Sequence, residues 1–300
     1  MHDQAERLRQ LVRDGDLTTP SGSRATKFLS VTSGKGGAGK TNIAINLGLA
    51  LIEIGARVAI MDADLGLANV DVLLGILPEF TLKDALEGKA TMSQILCVGP
   101  GGLQVIPGGS GAHELADLSE VQLEQFTSSL VEVESLFDYI IIDTGAGISR
   151  TVISFLSAAD LVLLVTTPEP TSITDAYAVA KTTLQQLPEA KLGLVVNKAE
   201  SIADAMETHR KLNMAVTSFL GGELDLMGWV INDPAVPRSV RAHRPLLLTA
   251  PDSPAGRNIR ALAKTIHEEM FATSSSVEHL STPEPGISGF FGKLRRFFQS

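Results

Sequence analysis

Three hundred residues, 44% of them hydrophobic, suffice for one large α/β domain with tails. The single cysteine, Cys97, excludes an intramolecular disulfide and any multi-cysteine metal or iron–sulfur site built from one chain, and fits a reducing cytosol. A net charge of −9 disfavours nonspecific binding to DNA phosphates; without a basic-then-apolar leader or an uncharged run of about 18 residues, the chain is not expected to be integral to a membrane.

Residues 1–13 are expected to form a short helix, with Asp3 as its cap, Glu6 completing a capping box and Gly15 as its stop. Ala5, Leu8, Leu11 and Val12 make one narrow apolar stripe. A helix this short is marginal alone, so it either docks on its own domain or serves a partner; the flexible linker that follows, within residues 14–26, favours a partner.

The chain then turns to the chemistry. Phe28 begins an apolar, partly β-branched run that reads as a buried strand and breaks into Gly34-Lys35-Gly36-Gly37-Ala38-Gly39-Lys40-Thr41. Gly34, four residues, then Gly39-Lys40-Thr41 fits the phosphate-binding loop G-x-x-x-x-G-K-[ST], between a strand and an amphipathic helix expected to run to Ile54. Glycines let successive N–H groups turn inward at phosphate oxygens, Lys40 reaches the β/γ-phosphates, and the Thr41 hydroxyl suits Mg²⁺. Asn42 completes this nucleotide-binding stretch.

A second buried strand, 57–61, ends in Asp62-Ala63-Asp64, placing two carboxylates where parallel sheets bind ligands; a turn or helix-capping role is their alternative. Residues 78–102 say little beyond a short helix at 82–86 and a turn at 99–102. A strand at 103–107, a glycine-rich loop at 108–111 and a helix over about 119–135 follow. Residues 139–143 form an apolar strand closed by Asp143, the pattern of a Walker B carboxylate that holds Mg²⁺ through water; Gly145–Gly147 offer a backbone N–H to a γ-phosphate. A strand at 161–166 leads through Pro168-Glu169-Pro170-Thr171 into an N-capped helix. The strand at 192–196 ends in Asn197-Lys198-Ala199-Glu200, close to the guanine-reading N-K-x-D, but Glu200 is one methylene too long for that role. A helix over 203–220, a strand at 226–231, a loop at 232–236 and a helix over 255–271 complete the domain. Arg238, Arg241, His243 and Arg244 cluster as surface charge.

Residues 272–285 are a Ser/Thr/Pro-rich linker. Beyond it, in 286–300, Ile287, Phe290, Phe291, Leu294, Phe297 and Phe298 recur on one helical face, with Lys293, Arg295 and Arg296 adding charge. Four of the chain's 11 phenylalanines lie here, beyond a linker, the composition of an interfacial membrane anchor rather than a core helix. Three basic residues near an anionic leaflet supply roughly 3 kcal/mol, so one anchor is reversible, and two in one dimer bind far more tightly. In the monomer the apolar face is expected to fold back into a groove on its own domain.

Over residues 27–271 the GKGGAGKT loop, the Asp62–Asp71 segment DADLGLANVD, the Asp143 strand and PEPTSITDA resemble the MinD/ParA ATPases with a deviant Walker A motif. The resemblance implies a mostly parallel, doubly wound α/β sheet and an ATP/ADP- and Mg²⁺-dependent hydrolase, slow and dimer-dependent. Lys35 would cross a homodimer interface to the partner's phosphates, Asp64 would position the attacking water and Asp62 would lie near Mg²⁺. Asn197 would bond adenine, favouring ATP, and Asn232, Asp233 and Pro234 would close over the base. DTGAG at 143–147 departs slightly from the family's usual DTxAG or DSPAG. Within that family the N-terminal Asp3-Gln4-Ala5-Glu6-Arg7-Leu8-Arg9 resembles the DQAxxLR motif of the FlhG branch, which sets flagellar number and placement. That implies stimulation of the GTPase FlhF through Asp3, Gln4, Ala5, Leu8 and Arg9. It also implies flagellar switch-complex proteins and a flagellar transcription activator as partners, and a cytoplasmic protein reversibly attached to the inner face of the membrane. A MinD-type division ATPase, or a nucleotide-loaded scaffold with negligible turnover, is the alternative.

Overall fold

The computed structural model describes residues 25–64, 69–109 and 136–272, together with 286, 289, 290, 292–294 and 297. The expected helices at 1–13 and 119–135 lie outside the described residues, as do both linkers for the most part, loop residues 65–68, 110 and 111, and Ile287, Phe291, Arg295, Arg296 and Phe298.

Eight strands, β1 (Lys27–Thr32), β2 (Val58–Ala63), β3 (Cys97–Val98), β4 (Gln104–Ile106), β5 (Tyr139–Thr144), β6 (Leu161–Thr166), β7 (Leu192–Ala199) and β8 (Asp225–Ile231), form one sheet in the order β3-β4-β2-β5-β1-β6-β7-β8. Every pairing is parallel except β3 with β4, which adds a short antiparallel edge that the sequence pattern does not announce. β1, β2, β5, β6 and β7 carry near-continuous buried runs because both faces of the sheet are covered there. Leu29 and Val31 face one side with α1 (Lys40–Glu53); Phe28 faces the other.

The α1 helix corrects one expectation. It is not amphipathic: Ile43 to Leu51 is an unbroken buried stretch, because the sheet covers one side and α9 (Leu246–Thr249) and α10 (Pro254–Ala272) cover the other. A buried Asn46 suits this layer, its amide accepting from the Leu247 N–H at 3.0 Å. The chain also folds differently after β8, where α8 (Ala235–Arg241) begins inside the expected 232–236 loop.

On the opposite face α5 (Arg150–Ala158), α6 (Pro170–Gln186) and α7 (Ile202–Leu220) pack together. The α6 helix has no side-chain cap at Glu169; Pro170 opens it, and the Ser172 hydroxyl instead accepts from the Thr167 N–H at 3.0 Å. Beside α3 (Leu82–Leu86) and α4 (Met92–Ile95), the Phe28 face of the sheet also receives Phe290 and Leu294, both buried.

Candidate nucleotide site

Strand register assembles the carboxylates. β1 lies between β5 and β6, and Asp143 pairs with Val31 on one side and Asp62 on the other, all at the carboxyl ends of the strands. There the chain leaves β1 through Ser33 and the glycine loop, then enters α1 at Lys40. Two loop glycines have separate steric reasons. Gly39 has φ +93° and sits against the Asn197 amide, while Gly34 lies so close to the Asp175 backbone at α6 that a Cβ would collide with it.

The Lys40 ammonium is almost fully buried, 3.6 Å from Asp143 Oδ1 and 4.0 Å from Asp64 Oδ2. Asp143 is fully buried, and neither of its oxygens has hydrogen-bond geometry to a donor among the described residues, although the Thr41 hydroxyl is adjacent. Burial pushes its carboxyl up to about 7, against the pull of Lys40 and Thr41. A dry carboxylate with open lone pairs beside a threonine hydroxyl fits a hard, oxygen-seeking cation such as Mg²⁺.

Asp62 is engaged otherwise. Its Oδ1 accepts from the Asp64 N–H at 3.0 Å, and its Oδ2 accepts from the N–H groups of Asn69 and Val70 at 2.9 and 3.1 Å. It therefore fixes the turn into α2 (Val70–Leu74), the turn-and-cap role its sequence context also allowed. Burial raises its carboxyl above the ordinary value despite those bonds. Asp64 is partly exposed at the mouth of the site, with Asn69 Nδ2 3.5 Å from its Oδ2.

Lys35 points away from the loop's own interior. Its Nζ donates to Glu169 Oε2 and Thr171 Oγ1, each at 3.1 Å, at the start of α6. The Gly147 N–H, one of those expected to be open to a phosphate, donates to the Ser33 carbonyl at 2.9 Å, tying the segment after β5 to the loop.

Asn197 donates from Nδ2 to the Ala38 carbonyl at 2.8 Å, and its Oδ1 accepts from the Lys198 N–H at 2.9 Å. Lys198, which sequence reasoning noticed only as part of a guanine-like motif, reaches the Gly37 carbonyl at 2.8 Å. Asn42 interacts within α1, its carbonyl accepting from Asn46 Nδ2 at 2.8 Å. The 232–234 segment works as scaffold: Asn232 bonds Glu200 at 2.8 Å, and Asp233 accepts from the N–H groups of Ala235 and Ala255 at 2.8 and 3.2 Å, holding the starts of α8 and α10, with Pro234 capping α8. The structure thus gathers residues 34–41, Asp62, Asp64, Asp143 and Asn197 at the carboxyl ends of the central strands, and uses Asp233 to hold two helix starts.

At the other end of the chain, Phe290 is buried against Phe28, Leu294 packs in the same cluster, Lys293 is half-buried, and Phe297 lines a recess together with Ile148, Arg150, Ile153 and Gln186.

The family model described as "ParA: NUBPL iron-transfer P-loop NTPase" matches residues 24–267. The antiactivator FleN of Pseudomonas aeruginosa is 39% identical over 240 residues, 80% of this chain and 86% of that protein. The flagellum site-determining protein YlxH of Helicobacter pylori is 35% identical over 300 residues, 99% of each chain. Among solved structures, the cell division ATPase MinD of Pyrococcus furiosus superposes with a TM-score of 0.67 at 26% identity, covering 81% of this chain and 99% of that one.

Proposed function

Because the chain belongs to the ParA/MinD family of P-loop ATPases, we propose that it is an ATP-driven dimerising switch that sets flagellar number and placement and attaches reversibly to membrane. The observation that carries the flagellar part is the end-to-end similarity to YlxH, which extends through both terminal segments. The iron-transfer chemistry in the family model's description does not carry over, since the lone Cys97 cannot hold a cluster within one chain.

ATP phosphates lie on the N–H groups of residues 36–41, and Lys40, anchored between Asp143 and Asp64, reaches the β/γ-phosphates. Thr41 and Asp143 would hold Mg²⁺, with Asp62 paired beside Asp143 on the neighbouring strand, and the bound ion would neutralise phosphate charge. Asp64, at the mouth of the crevice, orients the attacking water. Lys35 leaves Glu169 and Thr171 to meet the partner protomer's phosphates, so the site is complete only in the ATP-bound homodimer. Asn197 keeps one amide hydrogen and spare acceptor capacity for adenine.

The terminal amphipathic segment is the membrane contact. Phe290 and Leu294 are covered in the single protomer, which keeps it from lipid until the dimer forms. Residues 1–13 engage the GTPase FlhF, with Gln4 as the acting residue, and switch-complex proteins and a flagellar transcription activator are further partners; the name antiactivator given to FleN supports the last.

Sedimentation with anionic liposomes tests the switch, using the intact protein and a truncation ending at Pro285, each with ATP or ADP plus Mg²⁺. Only the intact protein with ATP should pellet. A protein that stays in the supernatant in every condition removes the membrane part.

A further inference from the structure

We propose that Lys198 is a positioning residue that, with Asn197, holds the phosphate loop in its binding conformation by anchoring two consecutive loop carbonyls. This rests on the nucleotide reading above and adds to it a residue outside the loop and outside the carboxylate cluster.

Three observations converge on Lys198. The ladder between β7 and β8 is irregular here: Val196 pairs with Trp229 and Ala199 with Ile231, so Asn197 and Lys198 together oppose one residue of β8. Such a bulge beside a site frees side chains from the sheet and re-aims them. Lys198 also has φ +57°, in the left-handed region that lysine seldom occupies and that only surrounding structure can hold; the Asn197 Oδ1 fixes it by accepting the Lys198 N–H. The turned side chain then delivers Nζ to the Gly37 carbonyl at 2.8 Å while the Asn197 amide takes the next carbonyl, Ala38, also at 2.8 Å.

The peptide plane supplies the consequence. In a trans peptide the C=O and the following N–H point to opposite sides. Drawing the Gly37 and Ala38 carbonyls toward β7 turns the N–H groups of Ala38 and Gly39 away from it, to the side where phosphate oxygens are cradled. Gly39, at φ +93°, has the backbone freedom this requires. An ordinary exposed lysine would need neither the bulge nor the strained backbone.

The experiment compares wild type, Lys198→Met and Lys198→Gly by titration of a fluorescent ADP and of a slowly hydrolysed ATP analogue, by melting of the apoprotein, and by steady-state ATPase. Lys198→Met keeps the aliphatic stem and removes the donor. Lys198→Gly also removes the donor but relieves the left-handed strain, so a folding defect does not confound it. The expected result is about tenfold weaker binding of both nucleotides by the same factor in both variants, with kcat/KM reduced mainly through KM and the melting temperature of the Gly variant equal to or above wild type. Variants that bind as tightly as a nucleotide-binding wild type overturn the inference and leave the nucleotide site standing. A fall in kcat at unchanged affinity also overturns it, by moving Lys198 into the chemical step, as does an affinity loss confined to a melted Met variant. Failure of the wild type to bind ADP overturns the nucleotide reading together with the inference.

Discussion

The ring of Phe28 stacks on that of Phe290, 4.2 Å between centroids and 17° from parallel. Phe28 is in the strand that feeds the phosphate loop, and Phe290 is in the segment whose composition suits a membrane surface. Both rings are buried, so the terminal segment leaves only by uncovering Phe28 as well. Such a pair is worth about 0.5–1.5 kcal/mol beyond its area burial, and the buried Phe290 and Leu294 side chains add roughly 1.5–3 kcal/mol each.

Replacing Phe28 by Leu keeps much of the core volume and removes the stack, at a cost of about 1–3 kcal/mol. The terminal segment then docks less firmly, and the variant should pellet with anionic liposomes even with ADP. Liposome binding as strictly ATP-dependent as wild type would show that the stack does not restrain the segment.

Two glycines of the same motif should behave differently. A methyl group at Gly34 meets the backbone of Asp175, which cannot yield without moving α6, whereas Gly36 has open space and no positive φ. Gly34→Ala should therefore lower apoprotein stability by more than about 2 kcal/mol, and Gly36→Ala by less than about 0.5 kcal/mol. Denaturant unfolding of the nucleotide-free variants measures both, and equal losses would contradict the packing argument.

Much of the site is legible in sequence because its parts are local. The loop, its flanking strand and helix, and Asp143 at the end of an apolar run each carry their own pattern within about ten residues. What escaped depends on distant contacts. The Lys198 interaction with Gly37 joins positions 161 apart in sequence, and Glu169 meets Lys35 across 134. The family resemblance assigns Asp233 to a base-closing loop, and the local Asn-Asp-Pro gives no sign that its carboxylate also holds two helix starts. The two-residue edge strand β3 is too short to show alternation at all.

The ion pair between Lys35 and Glu169 is largely exposed, so it contributes at most about 1 kcal/mol and restrains Lys35 without locking it. Glu169→Gln should leave melting nearly unchanged. Lys35→Ala should keep ADP affinity within about threefold, because its ammonium lies outside its own loop, yet lower ATP turnover at least a hundredfold if the lysine acts across the dimer. Turnover at wild-type levels in Lys35→Ala would place the catalytic charge elsewhere.

Asp143 gives the chain a pH signature with a definite sign. Burial pushes its carboxyl up to about 7 from the ordinary 3.8, so the folded state binds the extra proton between those limits. That group therefore costs stability above about pH 7, and the cost disappears as pH falls toward 4. Asp143→Asn should remove it, raising apoprotein stability at pH 8 by about 1–2 kcal/mol, or roughly 2–8 °C in Tm for a domain of this size. The same substitution should abolish stabilisation by Mg²⁺ with ADP, and in wild type that stabilisation should weaken as pH drops below 7, because the cation must displace the proton. Melting curves at pH 6 and pH 8, with and without Mg²⁺ and ADP, separate the two effects. If Asp143→Asn melts below wild type at pH 8 without Mg²⁺, the buried carboxylate is already satisfied and does not serve as an open cation ligand.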